Sequence, residues 1–334
     1  VLPVDLSPHN GRSLRVLVGH RPPAPKVRYI DQVIGDETLG IDFGYFGGAF
    51  RKQEADVVHI VDLNPLLGES TKDSARVAEA KSFVETLQEQ RTALVQTILD
   101  STPADDAAQQ ILDEATETFI VLDNHTPTPD ASRTVVVPHA HFRSRFFGYP
   151  RAHKVAGRLL CVARSELSRS AEGPLKVFSV TDTPGLSLRV VGDEDPALEQ
   201  LIPRAVRRAG GSVSARTELL SDAELVREID AAEYVILPQV TSLEDMTLLY
   251  LALSLDRPVM LPESELAREL GAEVGPGWIN CFDGPVTAEG IDQLVAQARA
   301  LPRSVRPDLD ARDPEVIARR YAEVYRAAAK SVTR

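Results

Sequence analysis

Two arginines, Arg164 and Arg169, follow closely on the apolar run Leu159-Leu-Cys-Val-Ala163. A guanidinium at the end of a buried strand can grip an oxyanion through a charge-assisted pair of hydrogen bonds; the plainer reading is a solvated surface charge. Further along, Thr241-Ser242-Leu-Glu244-Asp-Met-Thr247 has the composition of a helix start. The free N–H groups and the dipole of such a start suit the same anion. The competing reading is an ordinary N-cap with Glu244 or Asp245 facing the dipole, and two acids there would repel an anion. His139 and His141 flank the junction between the two halves of the chain, where each can hydrogen-bond a hydroxyl or serve only in packing. Asp100 and Asp123 end apolar runs in the first half. Either can act as a general base, provided it comes within about 3 Å of the proton it removes.

These groups need a scaffold, and the hydrophobic pattern supplies one. Leu14–Val18, Ala55–Val61, Ala93–Leu99, Thr118–Leu122 and Thr134–Pro138 read as strands. Helices are expected over 71–90, where Val77, Ala80, Phe83, Val84 and Leu87 recur at helical spacing, and over 104–116. Gly44-Tyr-Phe-Gly-Gly-Ala-Phe50 lacks the spacing and the lysine of a phosphate-binding loop and reads as a hairpin or turn. Residues 142–156 break the alternation and read as a linker. Its Arg143, Arg145, Phe146, Phe147, Tyr149 and Arg151 either pack locally or face a membrane interface.

The second half opens with a strand at 158–163 and continues to Leu186–Gly192, whose glycine turns the chain into a helix. Asp195-Pro196 starts that helix and Gly210-Gly211 stops it. Ser221-Asp-Ala-Glu224 is a capping box. Strands at Ala231–Pro238 and from Pro258 follow, separated by a helix containing Leu251-Ala-Leu-Ser254. Asp313-Pro-Glu opens a last helix with Val316, Ile317, Tyr321, Val324, Tyr325 and Ala328 on one face. Alternating strands and helices imply parallel sheets covered on both sides.

Composition narrows the partners. The 334 residues, 43% hydrophobic, suit about two domains with cores of their own. A net charge of -12 argues against a nucleic-acid surface, which needs clustered Lys and Arg. No run approaches the ~18–20 apolar residues of a membrane span, and no secretory leader pattern is visible. The expectation is a cytoplasmic protein with at most peripheral membrane contact. Cys161 and Cys281 read as buried free thiols, too few for a zinc site.

Several of these segments, in this order, resemble GT-B glycosyltransferases of the group 1 type found in bacterial polysaccharide assembly. Ala55-Asp-Val-Val-His59 is similar to the first-lobe strand that ends facing the cleft. Val136-Val-Pro-His139-Ala-His141 is similar to a proline-histidine-glycine segment, with Ala140 where glycine is usual. Val162-Ala-Arg164 with Arg169 resembles the arginine and lysine pair that meets the donor diphosphate, and Gly192 the glycine turn of the next strand. Tyr234–Pro238 and Ala252–Val259 are similar to the last two strands and their helix. The spaced glutamate pair usual in retaining members is absent: Leu243 and Leu251 stand there, with Glu244 offset by one.

The resemblance implies an α/β protein of two Rossmann-like domains whose parallel sheets face a central cleft. Residues 1–145 would form the acceptor-side domain, 146–312 the donor domain, and 313–334 a helix crossing back to the first. It implies transfer of a sugar from a nucleotide-diphosphate donor to a glycan or lipid-linked hydroxyl, with no metal and no cofactor beyond the donor. Arg164, Arg169, Gly192, Pro238, Thr241, Ser242, Glu244 and Thr247 would hold the donor, with His139, His141 and Asp100 at the reacting groups. Two other readings stay open: a non-catalytic binding or scaffold protein, and a nucleotide-sugar epimerase on the same fold.

Overall fold

The structure is a computed structural model that describes residues 13–19, 39–46, 53–61, 64–67, 73–98, 106–146, 148–149, 151–163, 169–192, 196–240, 243–300, 304 and 306–333. The chain divides into two compact units. The first holds the described residues through Ala140 together with the C-terminal segment from Arg312; the second is His141–Ala311.

Among the described residues the first unit has six parallel strands: β1 (Leu14–Gly19), β2 (Ile41–Phe46), β3 (Val57–Ile60), β4 (Ala93–Ile98), β5 (Thr116–Val121) and β6 (Thr134–Val136), in the order β2-β1-β3-β4-β5-β6. Helices α1 (Asn64–Leu67), α2 (Asp73–Gln90) and α3 (Ala107–Ala115) lie between strands in the chain. Leu17, Val58, Ile60 and Leu94 from the strands share a core with Phe83, Leu87 and Leu112 from α2 and α3. Burial of each such side chain stabilises the unit by about 1.5–3 kcal/mol. One further helix of this unit comes from the far end of the chain (Pro314–Val332, α10 below).

The hairpin or turn expected at Gly44–Phe50 is corrected where the structure describes it. Ile41–Phe46 is β2, paired in parallel with β1 so that Gly44 lies opposite Leu17. An added Cβ at Gly44 would sit 2.7 Å from Leu17 Cδ2, so glycine here makes room for a neighbouring core side chain instead of bending the chain. Residues 47–50 lie outside the described residues.

The second unit runs β7 (Arg158–Ala163), α4 (Arg169–Val177), β8 (Ser187–Gly192), α5 (Pro196–Arg208), β9 (Val213–Thr217), α6 (Asp222–Ala231), β10 (Tyr234–Ile236), α7 (Leu243–Ser254), β11 (Val259–Pro262), α8 (Glu265–Val274), β12 (Ile279–Phe282) and α9 (Ala288–Ala300). Its parallel sheet is ordered β12-β11-β10-β7-β8-β9. Successive strand residues serve opposite faces. Leu160, Val191, Val235 and Leu261 pack on one side with Leu249 and Trp278, while Leu159, Cys161, Val190 and Met260 pack on the other. The strands β9 and β12 go beyond those marked by the sequence pattern.

Local signals that were legible in sequence take the expected geometry. The Ser221 side chain accepts from the Glu224 N–H and the Glu224 carboxylate accepts from the Ser221 N–H, closing the capping box of α6. Asp313 caps α10 (Pro314–Val332), accepting from Glu315 N at 2.9 Å. In α10, Ile317, Tyr321, Val324, Tyr325 and Ala328 are buried, and the helix packs on β3, β4 and β5.

Residues of the 142–156 segment dock on the second unit. Phe142 and Phe146 enter its core, and Tyr149 meets Phe146 edge to face. Arg151 forms a two-pronged ion pair with Asp230, Nε to Oδ2 and Nη2 to Oδ1 each at 2.7 Å, and Arg257 Nη2 reaches the same carboxylate at 3.0 Å. Asp230 is almost fully buried at the end of α6, and two guanidiniums together with the Ala152 N–H satisfy it. No helix among the described residues is long and apolar enough to cross a membrane.

Candidate functional site

In the second unit, the chain runs outward from β7 through β8 to β9, then returns to β10 on the other flank of β7. Leu160 pairs with Val235 and Cys161 with Ile236, so β7 and β10 end side by side. In open α/β sheets a ligand crevice forms outside the carboxyl ends of strands at such a reversal. The helices that follow these strands, α4 and α7, therefore begin on the carboxyl side of this reversal. The first-turn N–H groups and positive dipole end of a helix so placed suit an anion.

Of the expected donor residues, those the structure describes lie at or near this edge. Arg169 is the first residue of α4 and Glu244 the second of α7. Arg164, Thr241 and Ser242 lie outside the described residues, as does Asp100 in the first unit. Pro238 is half-buried just beyond β10. Gly192 ends β8 beside Ala163, and its φ of 130° falls where a side chain is strained. A Cβ there would collide with the Ala163 carbonyl, so glycine keeps the ends of β7 and β8 in register. Thr247 is buried, its hydroxyl donating back to the Leu243 carbonyl at 2.9 Å.

Helix α7 is apolar almost throughout. Met246, Leu248, Leu249, Tyr250, Leu251, Ala252 and Leu253 are all buried. Leu251, where retaining relatives carry a glutamate, is 1% exposed in the core beside Trp278 and Leu249. A carboxylate at that depth would need a partner to offset its desolvation. Beside this edge opens a pocket of about 340 Å³ lined by Ile236, Phe282, Asp283, Val286, Thr287 and Gly290, where β12 leads into α9.

In the first unit, the carboxyl ends of the strands carry two kinds of protonatable group. His59 on β3 is fully buried, with Nδ1 2.9 Å from the Tyr325 hydroxyl and Nε2 2.7 Å from the Thr97 hydroxyl. The Tyr321 and Tyr325 rings flank it at centroid distances of 6.1 and 5.7 Å. Burial pulls its pKa down to about 3, so the ring is neutral. Asp123, just past β5, is different: it is half-buried on a loop with Asn124 and His125 exposed. Its Oδ1 accepts from His125 N at 2.7 Å, Thr126 N at 2.8 Å and the Thr126 hydroxyl at 3.1 Å.

The two junction histidines also differ. His139 has no exposed surface; its Nδ1 donates to the Ala140 carbonyl at 2.7 Å, which fixes the proton on that nitrogen. Burial first, with the Arg312 charge adding to it, lowers its pKa to about 3 despite that hydrogen bond. Direct contact with a substrate would require the ring to leave this seat. His141 is nearly buried, its Nδ1 accepting from Arg143 N at 3.3 Å. The proton of a neutral His141 ring therefore sits on Nε2.

The carboxylate that orders the 142–156 segment, Asp230, was not evident from sequence. Its signal was an acidic residue on the same helical stripe as Val226 and Ile229, a place that demands a cationic partner. The thiols follow expectation only in part: Cys161 is buried, its pKa pushed up to about 12 by burial, whereas Cys281 is half-buried. Among the described residues no three His, Cys, Asp or Glu side chains are grouped so as to hold a metal ion.

No protein-family model matches the chain. Two curated relatives do, both from Xanthomonas campestris pv. campestris and both described as GDP-mannose:glycolipid 4-beta-D-mannosyltransferase. One is 33% identical over 268 residues, covering 77% of this chain and 76% of the relative; the other is 32% identical over the same coverage. Among solved structures, the apo lipopolysaccharide outer core galactosyltransferase WaaB aligns over 95% of this chain and 99% of its own, with TM-score 0.57 and 14% identity. Anabaena HepE, solved with UDP and glucose, aligns over 96% and 99% with TM-score 0.56 and 12% identity. A UDP-N-acetylglucosamine 2-epimerase shares the fold at TM-score 0.53 and 11% identity, over 93% of this chain and 95% of its own. The structural likenesses establish the GT-B fold; the sequence likeness goes further and decides between the enzyme, scaffold and epimerase readings. The chain belongs to the family of the Xanthomonas GDP-mannose:glycolipid 4-beta-D-mannosyltransferase and is a GT-B glycosyltransferase, transferring a sugar from a nucleotide-sugar donor to a glycan or glycolipid acceptor.

Proposed function

We propose that the donor is GDP-mannose, that the acceptor is a hydroxyl of a lipid-linked glycan, and that the product is a β-mannoside. The observation that carries this reading is the 33% identity across 77% of the chain to a relative with that activity. GDP-mannose is an α-linked donor, so a β product requires inversion at the anomeric carbon in a single displacement. The buried Leu251 supports this, because it stands where the second carboxylate of the pair usual in retaining members would lie.

In this reading the second unit holds the nucleotide at the carboxyl ends of β7, β8 and β10. Arg164 and Arg169, with the N-termini of α4 and α7, take up the charge that develops on the leaving diphosphate. Gly192 and Pro238 shape the floor, and Thr241, Ser242, Glu244 and Thr247 belong to the segment that caps it. The first unit presents the acceptor; His139 and His141 act by fixing the chain on either side of the junction. Catalysis rests on positioning and charge stabilisation without a metal. In this reading the protein works in the cytoplasm, peripheral at the inner face of the membrane where a lipid-linked acceptor would be met.

The test is calorimetric titration with GDP, UDP, dTDP and their sugar conjugates, followed by transfer assays with and without EDTA. Saturable binding of GDP and GDP-mannose alone, with EDTA-resistant transfer, is the expected result. Preference for a uridine or thymidine nucleotide would refute the donor assignment.

A further inference from the structure

We propose that Asp123 is the general base that deprotonates the acceptor hydroxyl. This inference rests on the inverting reading above. Single displacement at an anomeric carbon needs a group that removes the proton of the incoming hydroxyl while the new bond forms. The acceptor oxygen bonds to C1 of the mannosyl group, its proton passes to a carboxylate oxygen, and the C1–O bond to the diphosphate breaks. The bonding electrons leave with the nucleoside diphosphate.

The structure selects among candidates at the carboxyl edge of the first unit. Among the described residues, His59 has both ring nitrogens occupied by hydroxyls and no exposed surface, and His139 is equally enclosed. Neither can meet a substrate where it stands. Asp123 meets the requirements they fail: it lies two residues past β5, it is partly open to solvent, and its carboxylate is fixed in advance. Three donors converge on Oδ1 alone, two of them backbone N–H groups. Their geometry sets the carboxylate plane and leaves Oδ2 to receive the proton. A base immobilised in this way spends little entropy on reaching its working geometry. His125 shares the loop but is exposed, and its backbone contributes one of the three donors.

Asp123→Asn is the informative variant, because its amide oxygen can keep the three Oδ1 hydrogen bonds while Oδ2 is lost as a base. The expected result is a fall in kcat of about 100-fold or more, with GDP affinity within about twofold of the parent. Asp123→Ala should regain transfer when formate is supplied, which loss of a merely structural cap would not allow. His125→Gln serves as the control. Transfer by Asp123→Asn within about threefold of the parent, or absence of formate rescue in folded Asp123→Ala, overturns the assignment. So does a loss of transfer in His125→Gln with Asp123→Asn active. Product stereochemistry separates the two levels of the argument. An α-mannoside from the parent enzyme would remove the inverting reading itself; a β-mannoside with active Asp123→Asn would remove Asp123 alone.

Discussion

The two sealed histidines of the first unit make the protein acid-labile well above the range where carboxylates titrate. His59 and His139 are both fully buried, and burial lowers each pKa from 6.5 to about 3. An unfolded chain therefore binds more protons than the folded one between those values. By linkage, the stability of the first unit is fully present above the unfolded pKa and is lost as pH falls towards the folded pKa. At about pH 5 the loss is roughly 2 kcal/mol per histidine, about 4 kcal/mol for the two, against a typical domain stability of 5–15 kcal/mol. The assay is hydrogen exchange of the amides in β3 and β4 at a series of pH values, corrected for intrinsic exchange. Trp278 is the single tryptophan and lies in the core of the second unit, so its fluorescence during urea unfolding reports the unit that lacks both groups. The expected result is a steep pH dependence in β3 and β4 and a weaker one at Trp278. His59→Gln should reduce the stability near neutral pH and remove about half of the slope. Exchange free energies unchanged between about pH 7.5 and pH 5, or a slope indifferent to His59→Gln, would refute the reasoning.

Three further perturbations follow from named contacts. Asp230→Ala leaves Arg151 and the largely buried Arg257 facing each other without their carboxylate. It should cost about 3–5 kcal/mol in Trp278-monitored urea unfolding, whereas Arg151→Ala, at a half-exposed arginine, should cost clearly less. Gly192→Ala forces a Cβ into the Ala163 carbonyl at a positive φ. A lower melting temperature together with weaker nucleotide binding in calorimetry is the expected pair of results. Arg164→Ala should weaken GDP binding by roughly 1.5–3 kcal/mol if its guanidinium meets the diphosphate; an unchanged Kd would remove it from the donor site.

The sequence made the layered α/β organisation readable because buried parallel strands are short apolar runs and their helices carry explicit caps. Val57–Ile60 and Ala93–Ile98 stand out by hydrophobicity alone, and Ser221 and Asp313 mark helix starts through side-chain hydrogen bonds local in sequence. What was hidden depends on neighbours distant in the chain. β9 is an edge strand in which Val213 is the one buried residue, so it has no apolar run to announce it. β2 contains Gly44, which looks like a turn until Leu17 is placed against it. The candidate site is read in sequence as an order of elements: a strand followed by Arg164, a glycine at the end of the next strand, and a helix after Pro238. Its chemistry was less so, because exposure separates Asp123 from His139 and no spacing encodes exposure. Asp230 is equally opaque, joined to Arg151 across 79 residues and to Arg257 across 27.

The most direct test of the account is the reaction itself. Purified protein is given GDP-mannose labelled in the sugar and a lipid-linked glycan acceptor, and the anomeric configuration of the product is read by NMR. The account predicts label in the lipid fraction as a β-mannoside, formed equally well in EDTA. Folded protein that leaves GDP-mannose untouched while transferring from a different nucleotide sugar, or that forms the α-mannoside, would contradict it.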